Sequence, residues 1–244
     1  MRDRFFVEGV HAPGDRVAFA ADDAHKLRNV LRKRSGDRVE VVDSAGEAFA
    51  ARLDVDARAV TAQLEEPLLR EGAEPALRVT LAQAIPKGNK MDFVIEKATE
   101  LGVERIIPVR TARVIAADTN AAKVERWRRI AKSAAQQSGR THVPGVDDIV
   151  SWDALLPSFA RFDRVYVPWE LAPPLPLRDA LAHDVADART VLLAIGPEGG
   201  FAANEIARAT DAGATIVSLG RRILRTETAA LVVLSILAYE RGDL

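Results

Sequence analysis

Two short segments concentrate the residue types that could do chemistry. Ile195-Gly-Pro-Glu-Gly-Gly-Phe201 places three glycines beside the carboxylate of Glu198, and Leu219-Gly-Arg-Arg-Ile-Leu-Arg-Thr-Glu-Thr228 sets three arginines before Glu227. Glycine lets main chain approach a ligand closely, and its peptide groups can bind the polar edges of that ligand. The spacing is neither the dinucleotide fingerprint nor a phosphate-binding loop, and no Lys-Ser or Lys-Thr follows it. A tight strand-to-helix turn that needs positive φ would use the same residues. Arg221, Arg222 and Arg225 stand just before a helix start, where the helix dipole favours acids. Either an anionic or electron-rich substrate faces them, or Arg222 or Arg225 pairs with Glu198 or Glu227 as a salt-bridged cap.

Other chemistries are excluded by composition. The 244 residues include no cysteine, so disulfides and thiolate metal sites are absent and a cytoplasmic protein is expected. His11, His25, His142 and His183 are scattered, with no pair at metal-ligand spacing, so no metal is expected. No apolar run approaches the roughly 20 residues that span a bilayer, and no apolar signal core follows Met-Arg-Asp-Arg-Phe-Phe. Net charge is -1, but the basic residues are segregated. Six Lys or Arg against Asp37 alone lie between His25 and Arg38, and six against Glu125 alone between Lys123 and Arg140. Such clusters can face phosphate, or they can be ordinary solvated surface.

Those residues need elements to position them. Arg4–Val7, Arg16–Ala20, Arg38–Asp43, Glu47–Leu53 and Arg58–Leu64 read as short strands, with a hairpin turn at Ser44-Ala-Gly46. One helix interrupts them, N-capped by Asp22, with Leu27, Val30 and Leu31 as its stripe and Lys26, Arg28, Arg32 and Lys33 outside. This predicts a small β-barrel with one helix. The acidic, proline-bearing segment Glu65–Ala76 reads as a linker. From Leu77 onward, strands at Leu77–Ile85, Arg105–Val109, Val146–Val150, Arg164–Pro168, Val191–Ile195 and Thr215–Leu219 alternate with helices. Those helices are Lys90–Leu101, Ala121–Ser138, Ser151–Ser158, Leu177–His183, Ala203–Ala212 and Thr226–Arg241. Trp127 falls on an apolar stripe and is read as core. Alternation of this kind predicts an α/β fold with a mostly parallel sheet covered on both faces. The loops after Pro168, Ile195 and Leu219 then share one rim, at the carboxyl ends of the strands.

With those blocks in place, the chain resembles the RsmE family, small-subunit rRNA uridine-N3 methyltransferases of the SPOUT (trefoil-knot) superfamily. The resemblance runs end to end. It rests on Arg4-Phe-Phe, His25-Lys-Leu-Arg-Asn-Val-Leu-Arg32, Lys87-Gly-Asn-Lys through Glu100-Leu-Gly102, Arg126-Trp, Gln137-Ser-Gly-Arg140 and the two segments above, in that order. Departures are slight: Asp92 replaces an expected Glu, Lys97 follows Glu96 where Gln-Lys is commoner, and Thr111-Ala112 replaces a Ser-rich segment.

The resemblance implies a PUA-like RNA-binding barrel over 1–72 and a SPOUT methyltransferase domain over 73–244 with a C-terminal trefoil knot, which periodicity does not reveal. It also implies S-adenosyl-L-methionine as cofactor, a homodimer with the active site near the subunit interface, and 16S rRNA of the small ribosomal subunit as partner. The expected target is N3 of the uridine conventionally numbered 1498. The cofactor should rest on Gly196, Gly200, Leu219, Gly220 and Leu224, with Pro168 on the third loop. RNA is expected on Arg4, Lys26, Arg28, Arg32, Lys33, Arg140, Arg221 and Arg222. Arg225, with Arg222 or Arg221 from the same turn as alternates, should stabilise charge developing on the uridine, while Glu198 or Glu227 either accepts the N3 proton or orients an arginine. The alternatives are a SPOUT enzyme with another RNA target and a non-catalytic RNA-binding ribosome-assembly protein.

Overall fold

A computed structural model describes residues 3–56, 58–68, 74–114, 121–171, 175–185 and 187–244. The chain divides into two compact units. One comprises residues 1–74 with 135–142, the other residues 75–134 with 143–244. The domain boundary expected between 72 and 73 lies outside the described residues.

The first unit is a curled five-stranded sheet of β1 (Arg4–Phe6), β2 (Arg16–Ala18), β3 (Arg38–Val42), β4 (Ala48–Val55) and β5 (Val60–Pro67), ordered β1-β3-β4-β5-β2. β1 runs parallel to β3, and the other pairs are antiparallel. Phe5, Val39, Val41, Phe49, Leu53, Val60 and Leu64 fill its core, with Phe5 edge-on to Phe19 at 5.5 Å. Gly46, at φ 83°, closes the β3–β4 hairpin, where Asp43 accepts from the main-chain N–H groups of Ala45 and Glu47. Glu65–Pro67, expected in the linker, instead continue β5, because Glu65 pairs with Arg38 and Arg52 across the sheet.

The helix of this unit corrects two expectations. α1 (Ala21–His25) is N-capped by Ala20 without a side-chain bond, and Asp22 and Asp23 occupy its first turn, where the dipole favours acids. It then widens into a π-helical turn at Lys26–Val30, closed by Leu31 N–H to the Lys26 carbonyl at 2.9 Å. Five-residue spacing rotates successive side chains less than an α-helix does. Leu27 therefore stays buried while Val30 turns out to 66% exposure.

In the second unit, β6 (Arg78–Ala84), β7 (Arg105–Arg110), β8 (Gly145–Val146), β9 (Val150–Ser151), β10 (Arg164–Pro168), β11 (Thr190–Ile195) and β12 (Thr215–Val217) form a parallel sheet ordered β12-β10-β11-β6-β7-β8. The single strand expected at Val146–Val150 is two short ones, both pairing with β7, and Asp147 leaves the sheet to bind Arg105 at 2.7 Å. Alternate residues face opposite layers. Leu81, Ile106, Leu193 and Ile195 pack on Met91, Val94, Ile95 and Ala98 of α2 (Lys90–Glu100) and on Ala230, Val233, Leu234 and Leu237 of α7 (Thr226–Glu240). Trp127 of α3 (Ala121–Ser138) joins this layer, and its indole N–H donates to Asp92. Ala82, Val167, Leu192 and Ala194 face α4 (Trp152–Leu155) and α6 (Ala203–Asp211) through Trp152, Leu155 and Ile206. Ser151 is the N-cap of α4 rather than its first residue, and a 3-10 turn at Leu156–Arg161 replaces the second half of the expected helix. α5 (Leu177–Asp184) covers the β12 side. Both faces are buried, so these strands read as nearly continuous apolar runs.

Candidate active site

Because β10, β11 and β12 are parallel, their carboxyl-terminal loops open on the same edge of the sheet. These loops and the start of α7 enclose a cleft of about 440 Å³, lined by residues 168–170, 195–201 and 218–226 with Ala229. The structure thus brings together Pro168, Gly196, Glu198, Gly200, Leu219, Gly220, Arg221, Arg222, Leu224 and Arg225. Glu227 lies one step outside the lining, in the first turn of α7.

The glycine loop is held from below. Phe201 is buried against Trp152, with ring centroids 4.6 Å apart, and its carbonyl accepts from the indole N–H of Trp169 at 3.2 Å. Gly200 sits at φ 66°, and a Cβ there would collide with the Glu170 carboxylate. A Cβ on Gly196 would come within 3.0 Å of the Phe201 ring. Main chain therefore forms the floor of the cleft at both positions. From the side, Gln83 of β6, fully buried, donates through Nε2 to Thr226 Oγ1 at 2.9 Å, and Thr226 donates to the Gly196 carbonyl at 2.6 Å. Arg113 donates to the Gly199 carbonyl at 2.6 Å.

The arginine loop is built differently. Ser218 is bound on both sides by the 175–177 segment: its N–H donates to the Leu175 carbonyl, and the Leu177 N–H donates to its carbonyl. Gly220, at φ 98°, then reverses the chain, and Leu219 and Leu224 tuck against the core. Arg221, Arg222 and Arg225 are exposed and have no ion-pair partner among the described residues, and Ile223 between them is 88% exposed. A salt-bridged cap is thereby excluded. Arg225 occupies the N-cap position of α7 and makes no side-chain cap bond.

Both glutamates instead meet a residue that sequence reasoning missed. Lys90, first in α2, places Nζ 3.2 Å from Glu198 Oε1 and 3.4 Å from Glu227 Oε2. Glu198 Oε1 also accepts the Lys87 main-chain N–H at 3.0 Å. The bond to Glu198, helped by Glu227, holds the Lys90 ammonium above its ordinary pKa. Burial pushes Glu198 upward, but main-chain N–H groups at 198 and 87, together with Lys90, outweigh it and leave the carboxyl below its ordinary value. A lysine in a helix's first turn opposes the dipole just as the arginines before α7 do, and that was the signal for it. Gln83, Thr226, Trp169 and Glu170 were also missed, and ordinary strand or loop composition gives no sign of them.

The residues expected to hold RNA separate into two groups. Arg4 and Arg140 are only 3% and 4% exposed and are engaged by protein groups. Arg4 donates to Glu40 at 2.8 Å and to the carbonyls of Gly139 and Arg140, while Arg140 donates to Glu74 at 2.6 Å. Their charges hold residues 135–142 within the first unit. Lys26 reaches Gln136 at 2.8 Å and lies over the Phe5 ring, and Lys33 pairs with Asp3 at 2.8 Å. Arg32 is exposed at φ 53°, and two nitrogens of half-buried Arg28 have no hydrogen-bond partner. Among the described residues no cluster of three potential metal ligands occurs, and no helix is long and apolar enough to cross a membrane.

Residues 73–238 match the model of an RNA methyltransferase domain. The ribosomal RNA small subunit methyltransferase E of Bacillus subtilis is 34% identical over 236 residues, covering 93% of this chain and 92% of that one. Its Synechocystis counterpart is 35% identical over 219 residues, covering 90% and 71%. The crystal structure of the Neisseria gonorrhoeae ribosomal RNA small subunit methyltransferase E bound to S-adenosyl methionine superposes with a TM-score of 0.88, at 32% identity and 98% coverage of both chains.

Proposed function

Because the chain belongs to the ribosomal RNA small subunit methyltransferase E family, we propose that it transfers a methyl group from S-adenosylmethionine to N3 of a uridine in 16S rRNA. The observation that carries the reading is a cleft lined both by Gly196 and Gly200 and by three arginines that have no ion-pair partner among the described residues. The cleft's volume falls within the roughly 300–1,000 Å³ typical of small-ligand sites. Its glycine floor suits a flat, polar-edged group such as adenosine, so the residues present fit the cofactor. Gly196, Gly200, Leu219, Gly220 and Leu224 would hold it through main-chain groups, with Pro168 and Trp169 beside them. When bound, S-adenosylmethionine supplies a methyl group on a sulfonium, an electrophile that needs no metal.

The residues of this chain then have the harder task. Uridine N3 carries a proton at neutral pH and is a poor nucleophile until that proton leaves. Its loss spreads negative charge over N3, O2 and O4, and the Arg225 guanidinium beside those oxygens stabilises that charge as it develops. Arg221 and Arg222 hold the flanking phosphates. Glu198 lines the cleft and Glu227 does not, so Glu198 takes the proton by position, directly or through water. Its lowered pKa makes it a weak base, which works only with Arg225 offsetting the charge left behind.

The threaded C-terminus implied by the family is supported by the path of the last segment. β12 pairs outside β10, Ser218 bonds into residues 175–177, and Thr226 then returns to Gly196 and Gln83. A homodimer is supported by the outer side of α7: Leu231, Val232 and Ile236 are half-buried, and Tyr239 is 72% exposed. A helix apolar all round calls for a partner. A ribosomal substrate supports a cytoplasmic location. Nucleoside mass spectrometry of small-subunit rRNA from a deletion strain tests the function. Loss of 3-methyluridine, restored by the wild-type chain, is expected, and unchanged 3-methyluridine would refute the assignment.

A further inference from the structure

Three elements converge on Lys90. It opens α2, Glu198 belongs to the loop after β11, and Glu227 belongs to the first turn of α7. Its single ammonium lies within 3.4 Å of a carboxylate from each of the other two. Nothing in helix chemistry favours a lysine there, because the first turn of a helix repels cations. The contact must serve something other than α2.

What it serves is the glycine loop. That loop is tied on one side by Thr226 Oγ1 at the Gly196 carbonyl and on another by Arg113 at the Gly199 carbonyl. Between those ties lies Glu198, whose carboxylate is held by Lys90 and by the main-chain N–H groups of Lys87 and of Glu198 itself. Without Lys90, two carboxylates would share a partly buried corner with no cation between them. The loop would relax away from α7 to separate them.

We propose that Lys90 is a positioning residue that holds the glycine loop closed on the cofactor by bridging Glu198 and Glu227. This rests on the reading of the cleft as an S-adenosylmethionine site. Lys90 does not itself line the cleft; its contact with the lining is Glu198. It acts through Glu198.

The bridge makes a pH-dependent prediction. The charged groups at the bridge are Glu198 and Glu227, with Arg113 on the neighbouring Gly199 carbonyl and Asp92, paired with Arg126, in the first turn of α2. In the wild-type chain Glu198 stays ionised to below the ordinary carboxylate range, so its contact with Lys90 persists in mild acid. In Lys90→Met, repulsion raises the pKa of at least one of the two glutamates, and mild acid then relieves the repulsion by protonating it.

Calorimetry of S-adenosylmethionine binding to the full-length wild type, Lys90→Arg and Lys90→Met, each between pH 8 and pH 5.5, tests this. Lys90→Met should bind about tenfold more weakly than wild type at pH 8 and recover most of that loss by pH 5.5. Lys90→Arg, which can also span two carboxylates, should bind within about threefold of wild type. Circular dichroism should show all three folded. Equal affinity of Lys90→Met and wild type at pH 8, or a loss that acid does not relieve, would overturn the bridge. A wild-type chain that binds no S-adenosylmethionine would overturn the function itself, a distinct result.

Discussion

A glycine at φ 66° and an arginine without a partner carry opposite parts of the account. Gly200→Ala adds a methyl in a backbone conformation that costs an L residue about 1 kcal/mol, and it pushes the Glu170 carboxylate off the loop. Thermal unfolding should shift by only a few degrees while S-adenosylmethionine affinity falls at least about tenfold, as read by calorimetry. Unchanged affinity would mean that the loop does not contact the cofactor. At this scale the sequence was half legible. Unusual local choices, such as arginines against a helix dipole, pointed to Arg221, Arg222 and Arg225 without tertiary information. The partners of Arg4 and Arg140 were not legible because they are remote in sequence: Arg4 meets residues 139 and 140, and Arg140 meets Glu74. A basic residue beside others resembles a phosphate contact until its acceptor is known.

Elements with strong periodicity were the most legible. The stripe Met91, Val94, Ile95 and Ala98 gave α2, and the apolar runs of β6, β10 and β11 gave the buried parallel sheet. What failed was local and has physical causes. The π turn at Lys26–Val30 changes the period within one helix, and the excursion of Asp147 to Arg105 splits what reads as one strand. The join between elements at the site was invisible because it depends on Gln83 and Thr226, residues separated by most of a domain. Thr226→Val removes the donor to the Gly196 carbonyl and an acceptor from Gln83 while keeping volume. It should lower stability by about 1–3 kcal/mol in denaturant unfolding, and it should weaken cofactor binding as the loop loosens. Thr226→Ser, which retains the hydroxyl, should restore most of both. A Val variant as stable and as tightly binding as wild type would remove the relay from the account.

For the whole molecule, near-neutral net charge hides a division of labour. The second unit holds the cleft, and the first carries exposed Arg32 and half-buried Arg28, two of whose nitrogens have no hydrogen-bond partner, unlike Arg4, Lys26 and Lys33. If those two contact phosphate, Arg28→Glu with Arg32→Glu should reduce the slope of log affinity for rRNA against log salt by about 1.5 to 2. Cofactor binding should be unaffected, and an unchanged slope would assign the first unit a role other than RNA contact. The central claim is that one cleft joins the cofactor to a uridine whose N3 charge Arg225 stabilises. The most direct test incubates wild type and Arg225→Ala with small-subunit rRNA and S-adenosylmethionine bearing a deuterated methyl, followed by nucleoside mass spectrometry. The account predicts labelled 3-methyluridine from the wild type and a rate at least about a hundredfold lower from Arg225→Ala, which should still bind cofactor. Label on any other nucleoside, or near wild-type transfer by Arg225→Ala, would contradict it.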